Sequence, residues 1–153
     1  MMHADSNTDA RRRFWCLRSM VAGAGLVLSV AANPADAALV VVVAADNDVT
    51  KLSLVDVKAI FLGIKMRLPN GMEAVPVFQR ELFDEFNQAV LGRPSAKVKR
   101  YWKRRVFSGV GTQSASVADD AEVKAYVRET AGAIGYIDSE SLDPGVKSLF
   151  LVP

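Results

Sequence analysis

The chain has 153 residues, of which 50% are apolar and 24% charged, and 19 Lys and Arg against 17 Asp and Glu give a formal charge of +2. A length of this order indicates one folded domain, and a charge so close to zero gives no overall indication of a polyanionic partner. The single cysteine excludes an internal disulfide, and the single histidine disfavours a histidine-based metal site or a catalytic triad.

Residues 1–37 have the pattern of an export signal. Four arginines between positions 11 and 18 precede an uncharged run over residues 19–35, and Ala35-Asp36-Ala37 fits the small-x-small pattern of a cleavage site. We expect cleavage after Ala37, by the general secretory or the twin-arginine route, and a periplasmic mature chain of residues 38–153. The alternative is an uncleaved anchor, but the run is short for a membrane span, and no stable span is expected after cleavage.

Loss of this segment removes two reactive side chains. His3 and Cys16 both lie in it, so the mature chain contains neither histidine nor cysteine. Ser-His-Asp and Cys-His catalysis are therefore excluded, together with the usual zinc sites. We expect a protein that is not an enzyme and that binds no metal or cofactor.

Strand and helix patterns alternate along the mature chain. Strands are predicted from short apolar runs bounded by turn residues, at 39–45, 74–78, 132–137 and 146–152. Helices are predicted from apolar residues at helical spacing, starting at Ser53, Glu81, Ser95 and Asp119 and extending to about residues 63, 91 and 107 for the first three. Residues 108–116 are predicted to form a loop. This alternation predicts a single α/β domain with a central mixed sheet flanked by helices.

The carboxylates near the start of the last predicted helix have a structural interpretation. Asp119, Asp120 and Glu122 stand where acidic side chains cap a helix N-terminus and match its positive end. We therefore expect them to cap this helix.

Seven basic residues and no acidic one lie between Arg93 and Arg105. The spacing of Val98, Tyr101, Trp102 and Val106 predicts a buried stripe on a helix whose other side is solvated. The alternatives are a partner or lipid surface and a nucleic-acid face, and the last is disfavoured because an exported protein rarely meets nucleic acid. The candidate partner residues are Lys99, Arg100, Lys103 and Arg104.

Arg80 lies between a predicted strand and the helix predicted to start at Glu81. A guanidinium at such a junction suits an anion, because the first amides of a helix are unpaired and lie at its positive end. The alternative is an ion pair between Arg80 and Glu81, Asp84 or another carboxylate.

The loop over residues 109–114 is a second candidate. Its glycines let backbone amides approach an oxyanion, and Thr112 and Ser114 supply hydroxyls. The alternative is an ordinary loop.

Four segments, taken in order, resemble the phosphate-type substrate-binding proteins of ABC transporters. They are the apolar strand with a helix ending in Phe61-Leu62-Gly63, the turn before Val77-Phe78-Gln79-Arg80, Phe86 with Tyr101-Trp102, and Gly132-Ala133-Ile134-Gly135-Tyr136. The resemblance implies one lobe of a type 2 periplasmic-binding fold and an oxyanion ligand, typically phosphate. The candidate ligand-binding residues are Gln79, Arg80, Gly111, Thr112 and Ser114.

The chain departs from that family in two respects. Members carry Ser-Gly-Thr shortly after the arginine, whereas Glu81-Leu82-Phe83 follow Arg80 here, and Glu81 would repel phosphate. Members also have two lobes, and this chain has the length of one. We expect an exported single-lobe relative that binds phosphate or a similar small anion, or a degenerate form of such a binder. The alternative is an envelope interaction module, docking on another protein or on a second copy, without a small-molecule ligand.

Overall fold

A computed structural model of the protein describes residues 38–109 and 114–153, which belong to one compact unit. The predicted signal segment lies outside the described residues. The strands are β1 (Leu39–Ala44), β2 (Val75–Gln79), β3 (Ala115–Val117), β4 (Ala133–Asp138) and β5 (Val146–Leu151), and the helices are α1 (Leu54–Phe61), α2 (Phe83–Phe86), α3 (Ser95–Phe107) and α4 (Asp120–Glu129). A π-helical turn, Asn87–Leu91, continues α2, and a 3₁₀ turn, Ser139–Ser141, follows β4.

The five strands form one mixed sheet in the order β3-β2-β4-β1-β5. β2 runs parallel to β3 and to β4, with Val77 opposite Ala115, and β1 runs antiparallel to β4 and β5, with Val41 opposite Tyr136. The predicted α/β class with a central mixed sheet and flanking helices is confirmed.

The sheet has a separate apolar core on each face. Alternate residues of β1 enter the two cores, Val41 on the side of α1, α2 and α3 and Val42 on the side of α4. Side chains of a strand alternate between the faces, so a strand covered on both sides must be apolar throughout. This explains why β1 is an unbroken apolar run, five Leu and Val residues followed by Ala44, rather than an alternating pattern.

β3 corrects the prediction of a loop over residues 108–116. A strand of three residues is too short to produce a periodic signal, and two of its residues fall inside the predicted loop. It forms because β2 supplies a parallel partner, with Phe78 opposite Ser116 and Gln79 opposite Val117. Pairing with a segment distant in sequence therefore creates this strand.

The helix after Arg80 starts at Phe83 and not at Glu81 as predicted. The Arg80 amide donates to the Val117 carbonyl at 3.0 Å, and the Glu81 amide donates to the Ala118 carbonyl at 3.4 Å. These two hydrogen bonds tie residues 80 and 81 to the segment after β3, and the chain turns at residues 81 and 82 before the helix begins. The α-helical part is then only four residues long before the π-helical turn begins.

Candidate functional site

A buried tyrosine of β4 holds the end of β2. The Tyr136 hydroxyl accepts a hydrogen bond from the Gln79 amide at 3.1 Å and donates one to the Gln79 carbonyl at 2.9 Å. Burial raises the pKa of Tyr136 well above its ordinary value, so the hydroxyl stays protonated and continues to donate. The ring of Tyr136 stacks on Phe86 with 3.8 Å between centroids. The peptide that precedes Arg80 is therefore firmly positioned.

The Arg80 side chain is exposed at the end of this anchored strand. Its backbone is held by β3, but its guanidinium makes no hydrogen bond or ion pair with any residue in the ranges 38–109 and 114–153. The alternative of an ion pair with Glu81 or Asp84 is therefore not observed. A guanidinium carries five donors, and those of Arg80 are available to an external acceptor.

Arg80 borders an open cleft of about 520 Å³ between α3 and the β2–β3 edge of the sheet. We call it the Arg80 cleft. Phe78 is buried at its base, and the rings of Phe83 and Trp102 pack edge-on against it with centroids 5.7 Å and 6.1 Å away. The cleft is lined by Phe78, Arg80, Phe83, Asp84, Lys99, Trp102 and residues 114–116.

Charges of both signs line the Arg80 cleft. The Lys99 ammonium lies over the Phe83 ring at 5.2 Å from its centroid and, like Arg80, forms no ion pair within the described part of the chain. Asp84 adds one carboxylate. Two cations against one carboxylate leave the lining with one net positive charge, which favours an anionic ligand.

The other predicted ligand residues have different surroundings. Ser114 lines the Arg80 cleft together with Arg80. Gln79 is only 1% exposed and, by strand alternation, lies on the α4 side of the sheet with Val77, away from this cleft. Its Oε1 has no hydrogen-bond partner among the residues that the structure describes. Gly111 and Thr112 lie outside the described residues.

The start of α4 is occupied by its own carboxylates. The Asp119 side chain accepts from the Glu122 amide at 2.9 Å, and the Glu122 carboxylate accepts from the Ala118 amide at 2.6 Å. The Asp120 carboxylate receives long hydrogen bonds of 3.4 Å from the Asp138 amide. The predicted capping is confirmed for Asp119 and Glu122 and is wrong for Asp120, whose carboxylate pairs with β4 instead. These carboxylates disfavour an anion at this helix end.

The four candidate partner residues on α3, Lys99, Arg100, Lys103 and Arg104, are all exposed. Helical spacing places Arg100, Lys103 and Arg104 around Phe107, which is 81% exposed, and the Lys103 ammonium lies 6.0 Å from the centre of that ring. Lys99 instead lines the Arg80 cleft.

The buried stripe predicted for α3 is confirmed at Val98, whereas Tyr101 and Trp102 are half-buried. It is wrong at Val106, which is 46% exposed. Arg105 takes the inward position in the last turn, because its guanidinium donates to the Gly63 carbonyl at 3.0 Å.

A second, smaller cavity of about 50 Å³ lies behind Trp102 and is also lined by Ile60, Gly63 and Arg105. The Trp102 indole N–H is buried and meets no acceptor in the described ranges. Trp102 and Ser114 line both this cavity and the Arg80 cleft.

Phe83 and Trp102 are cleft residues that sequence reasoning missed. Helical spacing assigned Trp102 to the buried stripe of α3, whereas in the structure both rings are only partly buried and pack against the core from the cleft side. The sequence signal is that each aromatic residue stands three positions after a basic one, Phe83 after Arg80 and Trp102 after Lys99.

Two further properties concern the described part of the chain. It contains no group of three His, Cys, Asp or Glu residues that could hold a metal ion. None of its helices is long and apolar enough to cross a membrane.

No protein-family model and no curated protein matches the sequence. Similar solved structures include a protein named for phosphate ABC transporter substrate binding, with bound phosphate, from Clostridium perfringens, at a TM-score of 0.58 and 20% identity over 73% of this chain and 44% of that chain. PstS from Borrelia burgdorferi gives a TM-score of 0.54 and 13% identity over 73% of this chain and 46% of that chain.

At these identities the similarity concerns the fold alone. The chain spans less than half the length of either of these structures. The mixed five-stranded sheet with its flanking helices therefore has the fold of one lobe of a periplasmic binding protein.

Proposed function

We propose that this protein is an exported binding module that holds a small oxyanion, such as phosphate, in the Arg80 cleft. The observation that carries the proposal is an exposed Arg80 without an ion-pair partner in the described ranges, on an anchored strand end and beside a second such cation, Lys99. An arginine in this state offers a planar set of donors that matches carboxylate and phosphate oxygens.

Similarity of fold supports the oxyanion. The Clostridium perfringens structure is that of a substrate-binding protein with bound phosphate, and its fold agrees with this chain. Its function suggests binding rather than catalysis, in keeping with the absence of histidine and cysteine after residue 37.

Two features set this cleft apart from a helix-end anion site. The amides of Arg80 and Glu81 are taken by the carbonyls of Val117 and Ala118, and α2 is only four residues long. Side chains must therefore supply most of the attraction, and the hydroxyl of Ser114 adds a donor to the lining. We expect weaker binding than in a two-lobed protein, because one lobe leaves the ligand open to water.

Calorimetric titration of the purified protein with phosphate and sulfate tests the proposal. We expect millimolar or tighter binding that Arg80→Ala weakens about tenfold or more, because hydrogen bonds from a charged group are lost. Arg93→Ala is the matched control, since Arg93 is also exposed but does not line the cleft. Absence of heat at millimolar ligand in the wild type and in Arg80→Ala alike would remove the ligand-binding proposal.

Export rests on residues 1–37 and has its own test. We expect the periplasmic fraction of the producing cell to contain a chain that begins at Ala38, as measured by intact mass. Replacement of Ala35 and Ala37 by phenylalanine should block this processing. A full-length chain that remains in the cytoplasm would contradict export and leave the oxyanion proposal standing.

The second candidate is an interaction module. It is favoured by Phe107, which is 81% exposed among Arg100, Lys103 and Arg104 on the outer side of α3. Sedimentation of the purified protein tests a second copy as the partner, and pull-down from an envelope extract tests another protein. We expect Lys103→Glu with Arg104→Glu to abolish the association, whereas Lys51→Glu with Lys58→Glu should leave it unchanged. Equal association in both double variants would exclude this surface.

A further inference from the structure

We propose that the Arg80 cleft prefers an organic anion, a carboxylate or phosphate monoester that carries an aryl or similar apolar group, over an inorganic ion. This inference rests on the proposed function, because it concerns the same site. Three observations carry it: the size of the cleft, the aromatic rings in its lining and the position of its cations.

The cleft is large for an inorganic ion. Its volume of about 520 Å³ falls within the range of roughly 300 to 1,000 Å³ that is typical of sites for organic ligands. An inorganic oxyanion that contacts Arg80 would leave most of this space to water. The remaining space has room for an apolar group attached to the anion.

Aromatic rings line that space. Phe83 and Trp102 are only half-buried, so part of each ring faces solvent in the cleft, and Phe78 closes the base. Edge-to-face contacts of Phe78 with Phe83 and with Trp102 hold the rings in place, with centroids 5.7 Å and 6.1 Å apart. A ligand ring gains both apolar burial and favourable ring geometry on such a surface.

The cations lie beside the rings and not apart from them. The Lys99 ammonium lies 5.2 Å from the centre of the Phe83 ring, and Arg80 lines the same cleft. A ligand on this wall therefore meets an aromatic surface and a positive charge together. With Asp84 included, the lining carries one net positive charge, which a singly charged carboxylate balances without excess.

The experiment compares matched pairs of probes by calorimetric titration of the purified protein. Phenyl phosphate is compared with inorganic phosphate, and benzoate with acetate, so that each pair differs by the ring. Benzyl alcohol, which has the ring without the charge, measures non-specific association. Thermal melting of every variant reports whether it is folded.

We expect each ring-bearing anion to bind more tightly than the ring-free anion of its pair, by about tenfold or more. Benzyl alcohol should bind more weakly than benzoate, by about tenfold or more. Arg80→Ala should weaken phenyl phosphate about tenfold or more. Phe83→Ala should bring the phenyl phosphate and phosphate affinities to within about threefold of each other. If Phe83→Ala does not fold, the proposal is tested by the wild-type affinity ratios of the two probe pairs and by the loss of phenyl phosphate affinity in Arg80→Ala.

The failures of the two proposals are distinguishable. Equal affinity for phenyl phosphate and phosphate, both dependent on Arg80, would overturn the preference for an organic anion and retain the oxyanion site. Phenyl phosphate binding that is unaffected by Arg80→Ala would overturn the preference at this cleft. Absence of binding for all four anions would overturn both proposals.

Discussion

β2 and β3 lie side by side and run parallel, and each is followed within three residues by a helix. After β3, the chain caps its own helix: Asp119 and Glu122 accept hydrogen bonds from amides at the start of α4, which continues for ten residues. After β2, no side chain caps α2, which is α-helical for only four residues.

The support of the β2 end comes from elsewhere in the molecule. Tyr136 of β4 holds Gln79, and carbonyls of Val117 and Ala118 take the next two amides. Because backbone groups and a neighbouring strand provide the support, the Arg80 side chain is not needed for it. The comparison shows that one junction uses its polar side chains to stabilise the fold, whereas the other is held through its backbone and leaves the Arg80 guanidinium without an ion pair in the described ranges.

The largest effect is expected where the β2 end loses its outside support. Tyr136→Phe removes the hydroxyl that pairs with both backbone groups of Gln79, which are buried. We expect a loss of about 2 kcal/mol in the free energy of unfolding, because buried polar groups are left unpaired. Urea denaturation measures it.

Tyr126→Phe is the matched control, since Tyr126 is half-buried on α4 and its hydroxyl makes no hydrogen bond in the described ranges. We expect a change within about 0.5 kcal/mol. Equal losses in the two variants would contradict the assigned role of the Tyr136 hydroxyl.

The second-largest loss in the free energy of unfolding is expected when the helix cap after β3 is removed. Asp119→Ala removes the acceptor for the Glu122 amide, and we expect a loss of about 1 kcal/mol by urea denaturation. Asp84→Ala in the first turn of α2 is the control, because Asp84 makes no capping hydrogen bond there, and its effect should stay within about 0.5 kcal/mol. A loss for Asp84→Ala as large as that for Asp119→Ala would remove the contrast between the junctions.

A smaller and pH-dependent effect concerns the other end of α4. Asp143 pairs with Lys124 and Arg128 of α4, and hydrogen bonds from these cations and from the Gly145 amide hold the pKa of Asp143 far below its ordinary value of 3.8. The folded protein therefore binds fewer protons than the unfolded chain, and the resulting stability is present above pH 4 and lost as the pH falls through the lowered pKa.

We expect Asp143→Asn to be less stable than the wild type at pH 7, by less than Asp119→Ala, because the pairs are solvent-exposed. The difference should shrink as the pH falls below 4, as measured by thermal melting from pH 7 to pH 2. Asp48→Asn is the control at pH 7, since Asp48 is exposed and forms no ion pair in the described ranges, and its melting temperature there should stay close to that of the wild type. A constant difference for Asp143→Asn would contradict the role of these pairs.

Local signals and distant pairing explain which elements the sequence could predict. The apolar run of β1 and the carboxylates at Asp119 and Glu122 are local signals, and both produce the predicted structure. β3 and the late start of α2 depend on hydrogen bonds between β2 and a segment more than thirty residues away, which no local pattern records.

The candidate site follows the same division. Arg80 could be singled out because a basic residue at a strand-to-helix junction is visible in the sequence. The roles of Lys99 and Trp102 could not, because whether a residue of α3 lines the cleft depends on how that helix packs on the sheet. The strand predicted over 74–78 stops before Gln79, so alternation could not be applied to it, whereas β2 includes Gln79 and strand alternation places it on the other face.

The smallest effect on stability is expected at Arg80 itself, and it is the sharpest test of the contrast. Arg80→Ala removes no hydrogen bond or ion pair within the described ranges, so the free energy of unfolding should change by at most about 0.5 kcal/mol. Arg128→Ala is the opposite control, because Arg128 pairs with Asp143 and its loss should lower stability more. A marked loss of stability in Arg80→Ala would mean that this guanidinium stabilises the fold, and a cation already used in that way is less available for an anion. An unchanged stability together with lost phosphate affinity would separate folding from binding at this one residue.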